Sequence, residues 1–393
     1  MDLSYGSEYE TFRQEVQSFL QKNRDKAPDK SGDPKSWQKL LIENGYAART
    51  IPREYGGYGA EPDILKSRII AEEFSKVRVS TGMGGQGISM LVPTLLEMGT
   101  EEQKKQFIPP TIHGDMIWCQ GYSEPGAGSD LASLKTSAVL EGDEWVVNGQ
   151  KIWTSTAQSA DWIFCLVRTE PEAPKHQGIS FLLFSMDTPG IEVRPLVDMT
   201  GNANFNEVFF TEVRVPKDQI VGQRGQGWLV ANSILGHERD SLADPNASNA
   251  RLNALIELMK TETVGGVRLI DNPVYRDRLM RLQARVMAMQ FNDMRVLSSR
   301  LNEGQSAPLA RMITKLQGTE LRHELEGLAI DAMGEIGLAW EDNPYLRDNG
   351  SWQYSYMYYL GLIIGGGTSQ IQKNIISERG LGMPKEPKVE KGN

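Results

Sequence analysis

The hydrophobic period of this chain changes twice, which limits it to folds that set a β unit between two helical segments. Near the N-terminus Tyr9, Phe12, Val16, Phe19 and Leu20 recur at helical spacing, and 64–74 and 90–98 read the same way. Turn-rich joints at 51–59 and 82–87 separate these helices. After Gly114 the texture becomes β-branched and aromatic, with strands predicted at 137–140, 144–147, 162–168, 179–185 and 207–210. Turn pairs at Gly142-Asp143, Asn148-Gly149, Pro189-Gly190 and Gly201-Asn202 predict a compact antiparallel unit or barrel that ends near Gly227. Helical spacing then returns at 229–239, 248–259, 273–301, 308–333 and 352–378. The expected domains are therefore 1–115 (helical), 116–227 (β) and 228–383 (helical), followed by a frayed tail at 384–393.

Composition narrows the function classes. With 42 Lys and Arg against 51 Asp and Glu, the net charge of −9 offers no basic footprint for nucleic acid or for a membrane surface. Two cysteines and four histidines are too few and too scattered for a disulfide framework or a Cys/His zinc site, so a reducing cytosol is expected. Charges interrupt the apolar residues of 1–21, unlike a signal peptide, and apolar runs such as 162–167 are too short to span a bilayer.

Two local strings could carry chemistry. The loop Cys119-Gln120-Gly121-Tyr122-Ser123-Glu124-Pro125-Gly126-Ala127-Gly128-Ser129-Asp130 is glycine-rich enough for backbone N–H groups to approach a flat or anionic ligand, although a tight surface turn would look the same. It is neither a P-loop, lacking Gly-Lys-Ser/Thr, nor a dinucleotide fingerprint, lacking a βαβ setting. In Asn148-Gly149-Gln150-Lys151-Ile152-Trp153-Thr154-Ser155 an aromatic precedes hydroxyls, suiting stacking on a planar cofactor, whereas a lone strand Trp is ordinarily core.

With NEVFFTEVRVP (206–216) and GGGTSQIQKNIISERGLG (365–382), these strings resemble the acyl-CoA dehydrogenase family in order and spacing, over nearly the whole chain. The resemblance implies an N-terminal helical domain, a middle β-barrel and a C-terminal four-helix bundle. It also implies FAD bound across a subunit boundary, α,β-dehydrogenation of an acyl-CoA substrate, and electron-transfer flavoprotein as acceptor. Carried over by position, Gln120, Tyr122 and Ser123 would line the flavin, Trp153 and Ser155 would cover its other side, and Ser129 would meet phosphates or pantetheine. Thr368 and Gln370 would hold the pyrophosphate and ribityl region, with a helix N-cap as the plainer reading of Thr368.

The base departs from the commoner pattern. Many members carry a glutamate where this chain has Gly366, and a minority place it in a Glu-Arg pair on the first long C-terminal helix. Here that pair is Glu238-Arg239, so Glu238 is the candidate base and Arg239 a substrate contact, while a solvated helix end is the alternative. Gly366 keeps the backbone N–H that would polarise the thioester carbonyl. Arg268 stands one register from the family's pyrophosphate-binding arginine and is expected to bind the cofactor in its place, while Glu335 occupies a usual glycine position. A homomer or a heteromer with a paralogous subunit is therefore expected. A same-fold flavin oxidase and a non-catalytic partner subunit are the alternatives that the sequence leaves open. The strings at 117–130 most resemble bacterial enzymes of dicarboxylate or steroid side-chain breakdown, which leaves the acyl group itself open.

Overall fold

The computed structural model describes residues 6–241, 245–301, 308–341, 343–385 and 387. Two compact units are present, one of 1–196 with 203–237 and one of 197–202 with 238–393.

The first unit opens with helices α1 (Ser7–Asn23), α2 (Pro34–Glu43) and α3 (Ile64–Lys76). Their apolar stripes meet in a core of Val16, Phe19, Leu20, Trp37, Leu41, Ile69 and Phe74. Asp33 and Asp63 cap α2 and α3 by accepting the Ser36 and Lys66 N–H groups. α4 (Val92–Met98) leads into α5 (Glu101–Ile112), which starts with a complete Thr100–Gln103 capping box.

The sheet that follows contains β1 (Trp118–Gly121), β2 (Ser137–Glu141), β3 (Glu144–Lys151), β4 (Trp162–Arg168), β5 (Ile179–Ser185), β6 (Ile191–Leu196) and β7 (Phe205–Pro216). Its order is β1-β4-β2-β3-β7-β6, with β5 paired to the other edge of β4. Along β4, Phe164 and Leu166 enter the core shared with α4 and α5, while Ile163, Cys165 and Val167 enter the opposite core. β5 divides likewise, with Phe181 and Leu183 against Leu182 and Phe184. Burial on both faces explains why these two strands read as unbroken apolar runs.

Three expectations need correction. The sheet is not purely antiparallel, because β1 pairs parallel with β4, Gln120 opposite Phe164, across the long excursion of β2 and β3. Asn148-Gly149 is not a turn but a bulge inside β3. Gly149 has φ of +150°, and a Cβ there would lie 2.6 Å from Thr136 Oγ1, so glycine lets β3 pass close to the start of β2. β1 and β6 themselves lay outside the predicted strands.

α6 (Gly227–Ser241) begins in the first unit, burying Val230, Ala231 and Ile234 in its core. The second unit is a helical bundle of α7 (Pro245–Thr261), α8 (Pro273–Leu301), α9 (Pro308–Met333) and α10 (Ser351–Ile364). Leu255, Met259, Leu279, Leu282, Leu325 and Leu328 fill its centre. Arg251 of α7 binds the fully buried Glu326 of α9 through Nε and Nη2, and its guanidinium lies 3.4 Å above the Trp352 ring of α10, joining three helices. The expected final helix at 352–378 is broken: α10 stops at Ile364, glycines intervene, and α11 (Ser369–Ile375) resumes under a Thr368 cap. Of the expected tail, only Pro384, Lys385 and Pro387 are described. Among the described residues no helix is long and apolar enough to cross a membrane.

Candidate active site

In the first unit, the stretch after β1 and the end of β3 are locked together by a buried ion pair. Lys151 Nζ, with no solvent exposure, lies 2.9 Å from Glu124 Oε1 and also donates to Tyr122 O at 3.1 Å. Glu124 in turn accepts the Lys135 and Thr136 N–H groups at 2.6 and 2.8 Å. Burial alone would raise the Glu124 carboxyl, but Lys151 and these N–H groups outweigh it and hold the group below the ordinary carboxylate range. Glu124 and Ala127 exchange both backbone hydrogen bonds, so the middle of the glycine-rich string, after β1, is a tight turn with both of these residues buried. Gln120 is half-buried on β1. Tyr122 is buried edge-on to Phe164 and Phe181, Ser123 O accepts the Ile152 N–H, and Ser129 is exposed.

Directly beyond Lys151 the backbone enters an uncommon conformation. Trp153 has φ of +61° and is 59 % exposed, an arrangement that costs an L-residue roughly 1–2 kcal/mol. Asn206 of β7 compensates from two sides: its carbonyl accepts the Thr154 N–H at 3.1 Å, and its Nδ2 donates to Thr154 O at 2.9 Å. The Phe205 ring stands edge-on to the indole at 6.0 Å. Among the described residues Thr154 Oγ1 and Asn206 Oδ1 are buried there without a partner, two polar atoms in want of a water or ligand group. Ser155, next to Thr154 in sequence, is half-buried. The arrangement leaves the indole exposed on a segment pinned to β7.

In the second unit, Gly365 closes α10 with its N–H on Gly361 O and then turns extended, with ψ of 155°. Gly366 and Gly367 follow at φ of +64° and +91°, conformations that favour glycine. Among the described residues the Gly366 N–H has no acceptor. Thr368 Oγ1 accepts the Ile371 N–H as the cap of α11, while Gln370 is exposed on the first turn of that helix. Arg268 is exposed in the short hairpin after α7, and its guanidinium is held by Asp271 at 2.7 Å. Glu335 is exposed on the turn Gly334–Leu338. Glu238 and Arg239 lie within α6, but their side chains fall outside the described residues.

The structure thus brings Tyr122, Ser123, Trp153 and Ser155 onto one tied frame in the first unit and sets Gly366 and Thr368 on one turn in the second. Glu124, Lys151, Thr154 and Asn206 were missed as site-forming residues. Their only signal in the sequence was membership of the matching strings, since pairing across 27 positions is not visible there.

Comparisons with known proteins agree along most of the chain. Three family models match in order: acyl-CoA dehydrogenase, N-terminal domain at residues 6–115, middle domain at 119–213 and C-terminal domain at 225–381. Acyl-CoA dehydrogenase IpdE1 of Mycobacterium tuberculosis is 37% identical over 358 residues, covering 90% of this chain and 89% of that protein. The Tcur3481-Tcur3483 steroid ACAD superposes with a TM-score of 0.81 at 29% identity, over 98% of this chain and 100% of that one. The ChsE4-ChsE5 complex from Mycobacterium tuberculosis gives 0.80 at 32% identity, over 98% and 100% of the two chains.

The Glu124 carboxyl, depressed in the fold, contributes stability that is fully present above the ordinary value of 4.5 and is lost as pH falls toward its lower native value. Glu124→Gln should therefore flatten the acid limb of stability and weaken the fold at neutral pH, where Lys151 is left buried against a neutral amide. Denaturant midpoints measured between about pH 3 and pH 7 check this; an unchanged acid limb would contradict it. Trp153→Gly relieves the left-handed backbone and loses little burial, so apoprotein stability should stay within about 1 kcal/mol of wild type. Its affinity for added FAD should nevertheless drop, as read by flavin fluorescence. Lower stability with unchanged FAD affinity would show the indole to be structural.

Proposed function

The chain belongs to the acyl-CoA dehydrogenase family, an oxidoreductase of FAD-dependent α,β-dehydrogenation, and we propose how its own residues carry the reaction from an acyl-CoA thioester to the trans-2-enoyl-CoA. The observation that carries the proposal is Gly366: a left-handed turn with an N–H lacking any described acceptor, and no side chain at the commoner base position. That N–H polarises the thioester carbonyl and so acidifies the α-proton. A carboxylate at 366 would add backbone strain of roughly 1–2 kcal/mol at φ of +64°, which fits a base supplied from elsewhere.

Glu238 is that base, taking the α-proton onto its carboxylate, with Arg239 beside it as a substrate contact. The residues of the first unit suit a flavin on observations of their own: an exposed, left-handed indole at Trp153, two partnerless buried polar atoms next to it, and open space around Gly126 and Gly128. Gln120, Tyr122, Ser123, Ser129, Trp153 and Ser155 would hold FAD there, and by the family resemblance Thr368 and Gln370 would hold the pyrophosphate and ribityl region of a FAD. When bound, FAD supplies the acceptor for the β-hydride. The chain's own work is to bind and orient the thioester, polarise its carbonyl and hold the α-proton on Glu238.

Arg268 and Glu335 fit the group less well. The Arg268 guanidinium is already engaged by Asp271, and an exposed carboxylate at Glu335 would repel a pyrophosphate. This favours assembly with a paralogous subunit that supplies those contacts. Two solved neighbours, Tcur3481-Tcur3483 and ChsE4-ChsE5, are named as pairs. The first is named a steroid ACAD, which supports a ring-bearing, steroid-derived acyl thioester as substrate. Electron-transfer flavoprotein as acceptor and a cytosolic location complete the reading, the latter supported by two free, buried cysteines.

Glu238→Gln keeps volume but removes the basic lone pair, so substrate-driven flavin bleaching should slow by about 10²–10⁴-fold with FAD content unchanged. Stopped-flow absorbance of the reconstituted protein, with any paralogous partner present, makes the measurement. Bleaching at a near wild-type rate would place the base elsewhere.

A further inference from the structure

The glycine turn that carries the Gly366 N–H is held by a buried lysine to which the chemistry above gives no role. Lys315 of α9 is 2 % exposed, and its Nζ donates to Ile363 O at 3.1 Å and Gly367 O at 2.6 Å. Gln372 Nε2 donates to Gly366 O at 3.0 Å from the other side. The carbonyls before and after the Gly365–Gly366 peptide are thus anchored, while the N–H of that peptide is left without a described acceptor. Three consecutive glycines would otherwise leave this peptide plane free to rotate, because no side chain restricts it. Burying an ammonium in a helical bundle is costly, whereas a methionine would fill the same space at no desolvation penalty. The charge is therefore placed where helix α10 ends and its last carbonyls gather, which is also where the helix dipole favours a cation.

We propose that Lys315 is a positioning residue for thioester polarisation: by bridging Ile363 O and Gly367 O it fixes the direction of the Gly366 N–H. The proposal rests on the role given to Gly366 above. It does not touch substrate; it acts through the backbone. A donor in such a site is effective only within a narrow range of position, and a shift of about 1 Å can cost on the order of 10²-fold in rate.

Two CoA ligands separate this role from a purely structural one. A 3-oxoacyl-CoA presents the thioester carbonyl, and the matching thioether, with CH₂ in place of that carbonyl, presents none. Each is titrated into the flavin-loaded protein, with any paralogous partner present, and dissociation constants are obtained by calorimetry. The wild type should prefer the carbonyl ligand. In Lys315→Met that preference should collapse by at least about 10-fold, with thioether affinity and FAD content unchanged. Lys315→Gln retains an N–H donor and should show an intermediate preference; it also serves as the readout if the methionine variant does not fold. A full carbonyl preference in either variant would overturn the role of Lys315 while leaving Gly366 in place. Absence of the preference in the wild type would instead overturn the reading of Gly366. Parallel weakening of both ligands would reduce Lys315 to a structural part and overturn the proposal.

Discussion

The buried pair between Glu124 and Lys151 is the constraint on which the first unit's candidate site depends. It buries a charge of each sign, Lys151 wholly and Glu124 almost so, and each is therefore saturated by the other and by backbone groups. The backbone groups that do so belong to the segment after β1, the entry to β2 and the end of β3. Saturating the charges therefore fixes three pieces of chain in one register. Trp153 sits two residues beyond Lys151 and Tyr122 two before Glu124, so the positions of both follow from the pair. The strain at Trp153 is tolerable because Asn206 clamps the next peptide from the neighbouring strand.

A comparable device operates in the second unit by other means. Three glycines permit the turn at 365–367, but permission is not direction, and the direction comes from Lys315 and Gln372 holding its carbonyls. Both sites set a positive-φ backbone against a buried polar anchor. Arg251, Glu326 and Trp352 act at larger scale, tying α7, α9 and the start of α10 so that the turn at the far end of α10 has a fixed base.

Much of this was legible in the sequence where periodicity is strong. β4 and β5 were read with their observed limits because double-sided burial leaves an unbroken apolar run. α8 and α9 were read equally well, being long and amphipathic. Two of the failures come from tertiary contacts that the local sequence does not announce. Asn148-Gly149 has turn chemistry, yet close approach to Thr136 makes it a bulge. β1 lay inside a glycine-rich string, and its parallel pairing with β4 has no local signature. The break after Ile364 was passed over although Gly365 to Gly367 and Thr368 mark it, because isoleucines resume at 371, 375 and 376. At the site, motif positions were legible while the partnerships Glu124–Lys151, Thr154–Asn206 and Lys315–Gly367 were not, because each joins residues distant in sequence.

The most direct test of the central claim is the stoichiometry of a single turnover. Flavin-loaded protein, with any paralogous subunit it requires, is mixed anaerobically with a set of acyl-CoA thioesters that includes steroid-derived chains. Flavin absorbance and the mass of the CoA product are followed together. The expected result is one flavin reduced for each thioester that loses two hydrogens, with the new double bond between the α and β carbons. A flavin that stays oxidised across the set, or one that is reduced without an enoyl-CoA appearing, would contradict the claim.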